Sequence, residues 1–288
     1  MTQNRIIPLL IIGVLSISLS PIVARSLESS ATVISFWRMF LSSFFLWCYS
    51  LIYFKNLKGL SSPNRMRTIL SGILLGIHFL LFFQAVKITT IANATFLGTL
   101  APFFTLLIEL TFFRRHYKKI IYIGLIISLT GILLVLINDF DLSSKYTLGN
   151  IYAILCSLSI ALSLLITEKV RDTEGTLEYT RMLYGIAAIT ILLIGSVYNE
   201  SFITTNKMDL IGFIFLALIP TILGHNISIY CLKFTTPTIV GTVPLGEPIL
   251  ASILAIFLFN EMISLNTAIG GVLCIYGIFT ILKNREIN

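Results

Sequence analysis

What limits this chain most is a succession of about ten continuous apolar runs, each close to 20 residues long, separated by short breaks. Such a run, wound as a helix at 1.5 Å per residue, matches the hydrocarbon thickness of a bilayer. In lipid every backbone N–H and C=O must be satisfied within the protein, so unbroken apolar runs of this length fold as membrane-spanning helices. The runs fall near 6–24, 31–54, 68–86, 90–113, 120–137, 148–167, 177–198, 210–232, 236–259 and 264–282. Composition agrees, since 56% of the 288 residues are hydrophobic and only 11% are charged, outside the range of soluble domains. The first run follows Arg5 as a signal peptide would, but no convincing small-residue cleavage pattern comes after it and nine similar runs do. It reads as the first transmembrane helix.

Most of the charges lie in the breaks, and they alternate. With the N-terminus in the cytoplasm, Arg5, Lys55, Lys58, Arg65, Arg67, Arg114, Arg115, Lys118, Lys119, Lys169, Arg171, Lys233, Lys283 and Arg285 share that side. The other side receives Arg25, Lys87, Lys145 and Lys207, together with Glu28, Asp139, Asp141, Glu200, Asp209 and Glu261. This bias predicts both termini in the cytoplasm and an even number of crossings. It places the chain as a multi-pass protein of a cell membrane, the cytoplasmic (inner) membrane if the source is bacterial. The surplus of 20 Lys+Arg over 13 Asp+Glu forms no continuous basic face, which argues against nucleic acid as a partner.

No soluble catalytic domain fits in the loops, and there is no GxSxG, HExxH or phosphate-loop pattern. The expectation is a protein that is not an enzyme, uses no cofactor and has no ATP-driven step. Cys48, Cys156, Cys231 and Cys274 lie in separate apolar runs without ligand spacing, so they read as buried free thiols and no metal site is expected.

Sliding the chain against itself reveals a repeat. Lys87-Ile-Thr89-Thr90 falls on Lys233-Phe-Thr235-Thr236, and the same register sets Pro102 on Pro248, Phe113 on Phe259, Gly124 on Gly270 and Gly131 on Gly277. A slightly different register sets Arg38-Met39 on Arg181-Met182. Two units, 1–137 and 148–282, would each hold five helices. An odd count forces them to insert in opposite orientations, which predicts an all-α membrane protein of ten transmembrane helices built as two inverted five-helix repeats.

One residue stands out within the runs. Glu247 lies near the middle of the ninth, preceded by Gly246 and flanked by Pro244 and Pro248, and an ionisable group at that depth persists only where it is paired, protonated or wet. Broken backbone beside a midplane charge suits a binding site, so Glu247 is expected to accept a proton or hold a substrate ammonium, against the plainer role of a paired packing residue. Arg38 and Arg181 suit a gating or substrate-carboxylate role, or anchoring at the interface. His225 and Asn226, beside Gly224 and the helix-breaking Pro220, are cavity candidates, and His78 joins His225 as a possible proton relay or as a simple interhelical hydrogen bond. Glu109 is read as an interfacial ion pair with Arg114 and Arg115. Phe79, Phe82, Phe83, Phe96, Phe103 and Phe104 suit a cavity wall or lipid contact, while Trp37, Trp47, Tyr49, Tyr53 and Tyr198 fit an aromatic belt.

The two-times-five layout resembles the EamA-like transporters of the drug/metabolite transporter superfamily over essentially the whole chain. The residues that carry it are Lys87-Ile-Thr-Thr with Ala101-Pro102, Gly124 and Gly131, and Lys233-Phe-Thr-Thr with Gly246-Glu247-Pro248, Asn260-Glu261, Gly270 and Gly277, together with Trp37-Arg38 and Gly224-His225-Asn226. The resemblance implies a secondary transporter of small metabolites, often an exporter, with a central cavity between the halves. Two departures stand beside it. The fourth run ends in Phe113-Arg114-Arg115 where the superfamily tends to carry a glutamate, and the first run has no acidic residue, so the proton logic of the small multidrug members does not transfer.

The functional expectation is alternating access for amino-acid-like or amphipathic solutes, driven by a proton gradient or by exchange, in a monomer or homodimer. The competing expectation is a non-transport membrane protein with a structural or lipid-handling role.

Overall fold

The computed structural model describes residues 6–53, 59–137, 143–247, 250 and 265–284. Pro248 and Glu261 lie outside them, as do 249 and 251–259 of the ninth apolar run.

The first crossing is α1 (Ile6–Ile17) and α2 (Ser20–Ser26), broken where the sequence predicts one continuous helix. Pro21 has no N–H to give the preceding turn, and the hydroxyls of Ser16 and Ser18 bond back to the Ile12 and Val14 carbonyls at 2.8 and 2.6 Å. Helices α3 (Ala31–Tyr53) and α4 (Ser62–Ile88) are uninterrupted. The fourth crossing again has two pieces, α5 (Ile91–Gly98) and α6 (Ala101–Thr111), and Pro102 opens the second of them. α7 (Lys119–Leu136) follows, then a 3-10 turn (Ser144–Tyr146), α8 (Thr147–Arg171) and α9 (Thr176–Val197). Then α10 (Lys207–Leu216) passes into a π-helical segment, Ala217–His225, that contains Pro220, and ends as α11 (Asn226–Cys231). Beyond it come α12 (Pro237–Gly241), a 3-10 turn (Val243–Gly246) and α13 (Leu265–Lys283).

Among the described residues seven crossings are long and apolar enough to span a membrane, and α7 and α13 are shorter apolar helices. Side chains facing outward stay apolar, as Ile126 (65% exposed) and Val272 (69% exposed) illustrate, which suits lipid rather than water.

Helix α3 packs on α9, α4 packs on both α8 and α9, and α1 packs on the π-helical segment. The α7–α13 pair is drawn together by glycine. A Cβ on Gly131 would lie 2.5 Å from the Cys274 nitrogen and 2.6 Å from the Gly270 carbonyl oxygen, and one on Gly277 would lie 2.6 Å from the Gly124 oxygen. Backbones this close admit no side chain between them, the usual means of helix association where lipid removes the hydrophobic drive.

Two residue-level expectations change as well. Glu109 is wholly buried and pairs with Arg115 at 2.6 Å, while Arg114 is exposed and takes no part. The chain reverses at Arg114 (φ 51°), which brings the Arg115 N–H back to the Glu109 carbonyl at 2.9 Å. Cys48 is half-buried, unlike the three buried thiols, and all four are free.

Candidate functional site

A cavity of about 70 Å³ lies among the helices of the bundle. The helix breaks converge on it. Ile17 and Ser20 flank the α1–α2 break, Gly98, Thr99 and Ala101 the α5–α6 break, and His225 ends the π-helical segment. Val240 and Gly241 of α12, Pro244 of the 3-10 turn and Glu247 complete that side. Interrupted helices expose backbone polar groups, which is tolerated at membrane depth only around a cavity or a protein interior. The unbroken helices supply the rest, with Arg38 from α3, His78, Phe79 and Phe82 from α4, and Ile160 and Leu164 from α8.

Arg38 is held rigidly. Only 1% of it is exposed, its Nε donates to Thr221 Oγ1 and an Nη to Ser20 Oγ, both at 2.7 Å, and the guanidinium carbon sits 4.1 Å from the Phe79 ring centroid. Such a cation–π contact favours a desolvated guanidinium. Thr221 Oγ1 itself donates to the Leu216 carbonyl at 2.8 Å, a bond made within the distorted turn around Pro220. Glu247 is 5% exposed and, among the described residues, its carboxylate makes no hydrogen bond or ion pair. The cavity thus holds a fixed cation and an unpartnered carboxylate that do not neutralise each other by contact.

The histidines differ. Nδ1 of His78 lies 2.9 Å from the Cys156 carbonyl, which fixes the proton on that nitrogen and leaves Nε2 as an acceptor. Nδ1 of His225 is buried without a partner, and the ring packs 5.7 Å from Phe79 and 6.3 Å from Tyr184.

Of the sequence-expected residues, the fold brings Arg38, His78, His225, Glu247 and Pro244 to one cavity. Asn226 does not line it, accepting a hydrogen bond from the Tyr184 hydroxyl at 2.7 Å instead. Arg181 is also elsewhere, with its guanidinium 4.3 Å from the Trp47 ring, nine residues beyond Arg38 along α3. Gly246 packs on Val14, and Pro102 lies against Gly241. Ser20, Thr99, Thr221 and Ser228 escaped the sequence reading, because single hydroxyls are common in apolar helices. Among the described residues no group of three acidic, Cys or His side chains could hold a metal ion.

At one end of the bundle, beyond the cavity, lies a second polar cluster. Arg115 donates to Glu168 through both Nη atoms, at 2.8 and 2.9 Å, and to Glu109 at 2.6 Å. Tyr117 donates to Glu109 at 2.8 Å, and Thr238 donates to the same carboxylate. Burial and the Glu109 charge push the Tyr117 hydroxyl above its usual range, so it stays a donor.

Comparison with known proteins follows the same lines. The model of the EamA-like transporter family matches this chain twice, over residues 4–137 and 147–283. An uncharacterized transporter of Archaeoglobus fulgidus is 26% identical over 85% of this chain and 86% of its own length. The uncharacterized transporter YdfC of Bacillus subtilis is 23% identical over 70% of this chain and 66% of its own. An S-adenosylmethionine uptake transporter of Rickettsia prowazekii is 24% identical over 88% of this chain and 83% of its own. A solved crystal structure shares the fold with a TM-score of 0.80 over 99% of this chain and all of its own, at 16% identity.

Proposed function

We propose, from the premise that this chain belongs to the EamA-like transporter family, that it is a secondary transporter moving small organic solutes through the central cavity by alternating access. Membership makes it a membrane transporter. The observation that supports this particular site is the meeting of a fixed Arg38 and an unpaired Glu247 carboxylate in a cavity where several helix breaks converge.

The proposed architecture is ten crossings in two inverted units, with both termini cytoplasmic in a cell membrane. Helix packing supports it. Under the register that sets Gly124 on Gly270 and Gly131 on Gly277, the close pair Gly124–Gly277 maps onto Gly270–Gly131. Ser128 maps onto Cys274, and its hydroxyl lies 3.5 Å from the Cys274 carbonyl, so the α7–α13 crossing has the self-complementarity of a two-fold axis.

A guanidinium and a carboxylate that do not pair with each other suit a solute bearing both charges, amino-acid-like in character. S-adenosylmethionine, for which some relatives are named, carries a carboxylate, an ammonium and a sulfonium, charges of the kinds these two residues complement. His225, Glu247 and His78 are the groups through which protons would couple to transport. The family resemblance points to a transporter that is often an exporter, whereas those relatives are named for uptake.

Counterflow in vesicles containing only this protein tests the reading. Amino acids, amphipathic amines and S-adenosylmethionine form the panel, and at least one is expected to exchange more than tenfold faster than in protein-free vesicles. If no member moves while the protein remains folded, the site has been misread and the structural or lipid-handling role takes its place.

A further inference from the structure

We propose that the cluster of Glu109, Arg115 and Glu168, with Tyr117 and Thr238 around it, is a latch that seals the cytoplasmic end of the cavity and opens during each transport cycle. The inference rests on the transporter reading above.

Three elements run directly from the cavity wall into the cluster. On α6, Ala101 lines the cavity and Glu109 follows eight residues later, about 12 Å along the helix. On α8, Leu164 lines it and Glu168 lies one turn further, about 6 Å. On α12, Val240 lines it and Thr238 precedes it by two residues. All three lead to the end at which α6 and α8 terminate, so the cluster sits between the cavity and that face.

The cluster also joins the two family-matched stretches. Glu109, Arg115 and Tyr117 belong to 4–137, and Glu168 and Thr238 to 147–283. Alternating access requires the two to part at one end at a time, and contacts that bridge them at the closed end must then break. The chemistry suits breakable contacts. Apolar side chains of similar volume would hold helices together as well as a buried ion pair does. Charged groups differ in that water can take them over once the helices separate. The Arg115 and Glu168 side chains, 19% and 10% exposed, already stand at the edge of solvent, whereas Glu109 is fully buried. One guanidinium serving two carboxylates concentrates the closure on Arg115.

The test uses Thr99→Cys as a cavity reporter in a chain whose four native cysteines are replaced by serine. An impermeant, charged thiol reagent is applied to one face of right-side-out or inside-out membrane vesicles. The reporter alone is expected to react from the outer face and slowly from the cytoplasmic face. Arg115→Gln and Glu168→Gln should each speed cytoplasmic labelling at least tenfold. Should Arg115→Gln fail to fold, Glu168→Gln, which keeps the side-chain shape, decides alone. Ser71→Ala, in a hydroxyl cluster with Ser163, Thr167 and Tyr179, controls for general loosening. Unchanged cytoplasmic labelling in the latch variants, or an equal rise in Ser71→Ala, overturns the latch and leaves the transporter reading intact. A reporter that reacts from neither face in the parent overturns alternating access at this cavity and the latch with it.

Discussion

Glu247 and Arg38 have opposite arrangements in the same cavity. Arg38 has two side-chain acceptors and an aromatic face, so its position is set before any solute arrives. The Glu247 carboxylate has no hydrogen-bond or ion-pair partner among the described residues, and a carboxylate in that state is balanced by a proton or by a cation brought from outside. Glu247→Gln keeps the shape and removes the titrating group. Transport in vesicles is expected to fall at least tenfold, a difference of about 1.4 kcal/mol, and its pH dependence to flatten, while the protein remains folded. Wild-type flux with an unchanged pH profile would reduce Glu247 to a packing residue. Arg38→Lys is expected to lose activity despite keeping its charge, because an ammonium cannot donate in the planar fork that reaches Thr221 and Ser20 together. Normal flux in that variant would show that point charge alone matters.

At the scale of elements, the breaks and the glycine crossing have separate jobs. Interrupted crossings bring backbone and small polar groups to the cavity, whereas the α7–α13 pair is a rigid seam. Gly131→Val would force bulk into backbone, and overpacking of this kind costs about 1–3 kcal/mol. A melting temperature lowered by several degrees is expected, with Gly59→Ala unchanged because nothing lies within 4 Å of that position. The turn between α8 and α9 is tied to the start of α4 through Glu174, which accepts from the Asn64 amide at 2.8 Å and from the Ser61 hydroxyl at 2.6 Å. Those hydrogen bonds hold its carboxyl below the usual range. A folded-state pKa that is depressed stabilises fully above the unfolded value, roughly pH 4.3, and that contribution disappears as pH falls through the folded value. Glu174→Gln should therefore melt slightly below wild type at neutral pH, by about a degree or two given its partial exposure, and the gap should close in acid. A gap independent of pH would mean that charge plays no part in the tie.

For the molecule as a whole, the charge bias between alternate breaks predicts the orientation proposed above. Single cysteines at Lys118 and Lys145, in a chain lacking the native four, are expected to react with an impermeant reagent from opposite faces; reaction from the same face would refute cytoplasmic termini with an even number of crossings. Much of this level is legible along the chain, because hydropathy is summed within a run of about 20 residues and a repeat is a comparison of the chain with itself. That is why the sequence alone determined a membrane-spanning protein of the EamA-like kind and singled out Glu247 as the charge that needs a reason. It also marked Pro220 as a break, since a missing N–H acts on its own turn. Which polar groups meet was decided only by the tertiary structure. Arg38 and Arg181 are related by the repeat, yet Arg38 reaches Thr221, 183 positions away, while Arg181 stacks on Trp47. Asn226, adjacent to His225, points to Tyr184 rather than into the cavity, and Arg115 rather than Arg114 closes on Glu109 and Glu168. Each of these outcomes depends on the rotation of one helix against another and on the hand of a single turn. A local pattern carries neither, because residues one position apart on a helix face about 100° apart and only packing decides which of them looks inward.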